Sequence, residues 1–146
     1  MVVDRKHKSC KTRTAAAGGL GVIVALKKEV MSETAKSEIK SGIVKIFKVT
    51  LSDRYAHIQG NPYRLIAVPK TFSLYKFAEV ILENFDFDFD HCFGFFDNLK
   101  NVYDSNEGYE LFKDIGEETE FNSVKKTKID KVFNFIGKKM CFMFDY

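Results

Sequence analysis

The stretch Ile43-Val44-Lys45-Ile46-Phe47-Lys48-Val49-Thr50-Leu51, with its echo in Tyr63-Arg64-Leu65-Ile66-Ala67-Val68-Pro69, decides the fold class. In the first, Phe47, Val49 and Leu51 share one face while Lys48 and Thr50 take the other, as a half-buried strand requires. Ser52-Asp53-Arg54 and Gly60-Asn61-Pro62 bracket a loop between the two stretches. Pro69 stops the second, because proline cannot donate to a sheet ladder. The two strands are expected to pair as a hairpin.

Beyond the hairpin the period changes. Leu74, Phe77, Ala78, Ile81 and Phe85 recur at helical spacing, with Lys76, Glu79 and Glu83 outside the stripe and Thr71 or Ser73 placed to cap the start. That stripe is expected to lie on the sheet. A third strand is predicted from His91 to Phe96, ended by the turn chemistry of Asp97-Asn98. Residues 103–122 are acidic and turn-rich, which predicts an irregular excursion with at most a short strand from Tyr109 to Phe112. Ile129, Val132, Phe133 and Ile136 predict a helical turn closed by Gly137, and Met140 to Phe144 a final strand. The expected fold is therefore α+β: a β-hairpin followed by a helix packed on a mixed sheet, with a β-grasp-like arrangement.

The 146 residues are 45% hydrophobic and include 15 Phe and 6 Tyr, enough to bury a core without disulfide or metal staples. No apolar run approaches the ~20 residues of a membrane span, so no membrane is implied as a partner. Charge is uneven: residues 1–30 carry seven basic groups against two acidic, and the remainder sixteen against eighteen. Nucleic-acid binding by residues 43–146 is disfavoured, since such modules carry their basic stripe on the folded body. Arg5 to Arg13 and the run Ala15 to Leu26 imitate a secretory signal, but Lys27-Lys28-Glu29 follows in place of a small-residue cleavage site. Residues 1–42 are accordingly read as a basic, disordered extension, with Met31 as an alternative start, and residues 43–146 as the domain. Three cysteines without an export signal point to a reducing, cytoplasmic setting.

Among chemistry-bearing patterns, Asp86-Phe87-Asp88-Phe89-Asp90-His91 places carboxylates at the first, third and fifth positions of an EF-hand loop, with Asp97 at the twelfth. The sixth position holds His91 where a residue free to turn sharply is needed, and an apolar strand follows in place of an exiting helix. The alternation reads more simply as Phe side chains inward and Asp side chains outward. His7, His57, His91, Cys10, Cys92 and Cys141 include no pair at zinc-ligand spacing, so no metal site is assigned. His91 and Cys92 are adjacent and point to opposite faces of a strand, which separates base from nucleophile. Gly18-Gly19-Leu20-Gly21 lacks the strand and Gly-Lys-Ser/Thr ending of a phosphate loop, and no cofactor is implied.

Taken together, Ile46-Phe47-Lys48-Val49-Thr50-Leu51, Tyr63 to Pro69, the run FDFDFDHCFGFFDN from Phe85 to Asn98, and Lys138-Lys139-Met140-Cys141-Phe142-Met143-Phe144-Asp145-Tyr146 resemble the plasmid Ri open-reading-frame-three-like family, also labelled insertion-element passenger proteins of the TnpR type. The resemblance covers roughly residues 43 to 146. Tyr63 stands where the family usually shows a Trp near the corresponding arginine. The family's Phe-Asp-Tyr motif continues into Gly-Asp and another strand, whereas this chain stops at Tyr146, so it reads as a member that lacks its last strand. Met140 to Phe144 is then expected at an exposed sheet edge, open to self-association.

The resolvase label implies a serine nucleophile beside clustered arginines, but the domain holds only Arg54 and Arg64. The resemblance carries fold further than mechanism. The positions that match the family's motifs are Asp88, Asp90, His91, Asp97 and Asp145, and they form the candidate functional surface. His91 and Asp145 can approach only if the third and last strands are neighbours. The expected function is a non-enzymatic binding or protein-interaction module of passenger type, with an unknown protein partner or a second copy. Two rivals remain: a metal-assisted enzyme using Asp88, Asp90 and His91 with Asp145, and a DNA-associated accessory acting through the basic N-terminal tail.

Overall fold

The computed structural model describes residues 20–27, 43–53 and 60–145. The basic stretch Arg5–Arg13 and residues Cys10, Met31, Arg54, His57 and Tyr146 lie outside them. Seven strands, β1 (Leu20–Lys27), β2 (Val44–Asp53), β3 (Tyr63–Pro69), β4 (Phe93–Phe96), β5 (Gly108–Glu110), β6 (Asn122–Ser123) and β7 (Lys139–Phe144), form one sheet in the order β3-β2-β1-β7-β4-β5-β6. Every neighbouring pair is antiparallel except β5 and β6, so the sheet is mixed. Helix α1 (Leu74–Asn84) follows the hairpin, and a single helical turn, α2 (Ile129–Val132), precedes β7. The chain is an α+β protein.

The hairpin forms as the alternation requires, with Phe47 opposite Ile66 and Val49 opposite Arg64. Phe47 and Val49 are fully buried, whereas Lys48 and Thr50, on the opposite face, are half-buried. Ser73, one of the two expected caps, accepts a hydrogen bond from the Lys76 backbone N–H at 3.2 Å. Leu74, Phe77, Ala78 and Ile81 are buried as expected, and Leu82 joins them. Phe77 sits at the centre of the aromatic core, its ring 4.5 Å from Phe47, 6.0 Å from Phe95 and 6.3 Å from Phe133. Phe95 continues the chain of contacts to Phe142 at 4.9 Å.

The largest correction concerns the extension. Residues 20–27, expected within a disordered segment, are a strand at the middle of the sheet. Val24 lies opposite both Val49 of β2 and Met140 of β7 and is fully buried. The glycines that weakened a helical reading of this run do not forbid an extended one, and its Val-Ile-Val core favours it. The sheet order does not establish the expected β-grasp-like arrangement. β2 and β7 run in the same direction, but β1 lies between them.

The second correction is at β7. Met140 to Phe144 is flanked by β1 on one side and β4 on the other, so it is not a sheet edge, and self-association through it has no free ladder to use. Its continuous apolar sequence reflects burial on both faces. Met140, Phe142 and Phe144 join the core under α1, while Cys141 and Met143 pack with Phe96, Val102 and Phe121 on the reverse.

Smaller differences occur at element ends. The third strand begins at Phe93 and not at His91, and the short strand in the acidic region is Gly108–Glu110. Ile136, expected on the helical turn, lies beyond it and is exposed. Cys92 is buried. Among the described residues no helix is long and apolar enough to cross a membrane.

Candidate functional site

The β4–β7 pairing brings three of the five candidate residues together. Phe93 lies opposite Phe144, and the ladder extends one step further where the Asp145 N–H donates to the Cys92 carbonyl at 3.0 Å. His91 and Asp145 therefore meet just past this end of the two strands. Asp145 adopts a left-handed backbone, φ 60°, a conformation that Asp tolerates better than most residues. The His91 imidazole stands between two carboxylates, Nδ1 at 2.6 Å from Asp90 Oδ1 and Nε2 at 3.6 Å from Asp145 Oδ1. The first distance is that of a short hydrogen bond, and the second is an ion-pair approach too long for one. The ring meets the edge of Phe144, centroids 5.6 Å apart at 81°.

This cluster is open to water: the side chains of Asp90, His91 and Asp145 are 61, 48 and 58% exposed. The imidazole bridges the two carboxylates and so links the end of β7 to the segment entering β4. An exposed pair of this kind contributes about 0–1 kcal/mol. The adjacent Cys92 is buried, whereas His91 is open to water.

Asp97 does not belong to the cluster. It lies at the far end of β4, where its Oδ1 accepts from the Asn106 N–H at 3.0 Å and its own N–H donates to the Glu107 carbonyl. It shapes the β4–β5 connection together with Asn98, whose side chain accepts from the N–H groups of Lys100 and Asn101. Asp88 is exposed on the loop between α1 and β4.

Asp86, the first position of the EF-hand-like pattern, is instead the stop of α1. With φ 58° it donates its N–H to the Glu83 carbonyl, while the Phe87 N–H reaches Leu82, a Schellman closure. The Phe and Asp side chains divide largely as the alternation implied. Phe85 and Phe89 pack against the core, Asp86, Asp88 and Asp90 are exposed, and Phe87 remains partly exposed beside Phe144. Among the described residues no three His, Cys, Asp or Glu side chains are arranged to hold a metal ion.

Two polar networks were not anticipated from sequence. Glu110 is 1% exposed and accepts from Thr119 Oγ1 at 2.6 Å. Glu107 accepts from the Tyr109 hydroxyl at 2.9 Å and from Lys138 Nζ at 2.6 and 2.8 Å. Burial, followed by the Glu107 contact, pushes the Tyr109 hydroxyl well above the ordinary tyrosine range. Neither carboxylate carried a local signal, because both sit in an acidic, turn-rich stretch and gain their roles from strand pairing and from Lys138, 31 residues away. Neither a family model, nor a curated protein, nor a solved structure matches the chain.

Proposed function

We propose that the chain is a non-catalytic interaction module of the plasmid Ri open-reading-frame-three-like, insertion-element passenger type. The family reading rests on the sequence landmarks from Ile46 to Asp145. The β-grasp relationship is part of it, with β1 as a strand inserted between the hairpin and the last strand. The observation that carries the functional reading is the setting of Asp90, His91 and Asp145, which meet on an open surface at the end of β4 and β7. Acid–base or metal-assisted catalysis needs groups that converge on a shielded substrate, whereas an exposed charged cluster beside Phe87 suits contact with a partner.

Native mass spectrometry of the full chain purified with added zinc, manganese and calcium tests this reading. The expected result is a metal-free species whose mass is unchanged by His91→Ala. A stoichiometric metal that is lost in His91→Ala would replace it with the metal-assisted enzyme.

A further inference from the structure

We propose that the end of the sheet opposite His91 docks on an anionic bilayer surface. The inference goes beyond the interaction-module reading and uses none of the Asp90–His91–Asp145 cluster. It starts from apolar side chains left in water: Ile43, Phe135 and Ile136 are 56, 59 and 63% exposed. They belong to one surface. The Phe133 carbonyl accepts from Lys45 Nζ at 2.7 Å, which ties the segment leading to Phe135 and Ile136 to the start of β2, and Ile43 immediately precedes that strand. The Ile43 carbonyl accepts from the Lys70 N–H at 2.9 Å, and the Lys70 carbonyl in turn accepts from the Asp130 N–H at the start of α2. Gly137 follows the apolar pair with φ 93° and open space where a side chain would stand.

Along residues 128–139 the charges left without an ion-pair partner among the described residues are all basic. Asp130 is neutralised by Lys45 at 2.8 Å and Glu107 by Lys138 at 2.6 Å. Lys128, Lys131 and Lys139 are exposed, and no carboxylate of the described residues forms an ion pair with them. An exposed aromatic-aliphatic pair with unpaired lysines before and after it in the chain matches the bilayer interface, where apolar side chains enter the acyl boundary and lysines meet anionic headgroups. A duplex or an acidic peptide would use the lysines but gives Phe135 and Ile136 no apolar phase. The lack of a membrane-spanning segment is no obstacle, because a surface contact needs none.

The full chain is tested by co-sedimentation with phosphatidylcholine vesicles with and without phosphatidylserine. The expected result is sedimentation only with phosphatidylserine, released by high salt. Lys128→Glu/Lys131→Glu and Phe135→Ser/Ile136→Ser should each weaken it by about tenfold or more, with unchanged thermal transitions, while His91→Ala leaves it intact. The chain contains no Trp, so Phe135→Trp adds a single reporter whose emission should shift to the blue on anionic vesicles. The proposal is overturned by no sedimentation, by equal sedimentation on phosphatidylcholine, or by the absence of a blue shift. It is also overturned if the lysine pair matters but the apolar pair does not, which would indicate a polyanion partner. If neither pair matters, binding would belong to Arg5–Arg13, and the proposal falls as well.

Discussion

At the scale of the residue, three positions give the fold checkable consequences. Asp86 holds a left-handed C′ position that glycine fills without strain. Asp86→Gly should therefore raise stability by about 0.5–1 kcal/mol in urea denaturation, and a loss would show that the carboxylate has a role beyond the turn. Gly108 is the converse: a Cβ there would lie within 3.0 Å of three ring carbons of Phe121. Gly108→Ala should cost about 1–3 kcal/mol, and pairing it with Phe121→Ala should give a smaller loss than the two single changes added together. Asp130 carries the pH dependence. A hydrogen bond from Lys45 holds its carboxyl below the usual aspartate range, so this contact stabilises the fold above the unfolded-state pKa of about 4 and fades as the pH falls through the lower folded value. Because Asp130 is half exposed, the effect is small. Asp130→Asn should flatten stability against pH below about 4, and an unchanged acid profile would count against the Lys45 contact.

At the scale of the element, α1 and the hairpin were legible because each carries its own period. The stripe Leu74, Phe77, Ala78, Ile81 and the alternation of Phe47, Val49 and Leu51 are local statements about which face is apolar, and the core under α1 follows from them. β1 was not legible. Its flanks are basic and small, and a run of Val, Ile and Gly between them is equally a failed signal or a strand until a partner ladder exists. The decisive test is Val24→Pro. It removes a backbone donor where β1 pairs on both sides, and it should abolish the cooperative thermal transition by circular dichroism. A chain begun at Met31 lacks the same strand and should fail in the same way. Native folding of either would mean that β2 and β7 can close the sheet without β1.

At the scale of the whole molecule, the cluster around His91 and the unpaired lysines lie at opposite ends of the sheet. Phe93, Phe144 and Asp145 close one end among Asp86, Asp88, Asp90 and His91, and Lys128, Lys131 and Lys139 stand at the other. The candidate surface was half legible in the same sense. His91, Asp90 and Asp145 meet because β4 and β7 are antiparallel neighbours, and Asp97 is excluded because the four residues of β4 carry it to the opposite end. Local pattern by itself determined the α+β class, the hairpin, the face of α1 that is buried and the outward set of the Asp side chains, since each depends only on period and polarity within a dozen residues. Only the tertiary structure decided that β1 fills the centre, that β7 is not an edge, and that His91 faces Asp145. Those depend on ladder pairing between segments 19 to 124 residues apart, for which adjacency in space leaves no trace in local period.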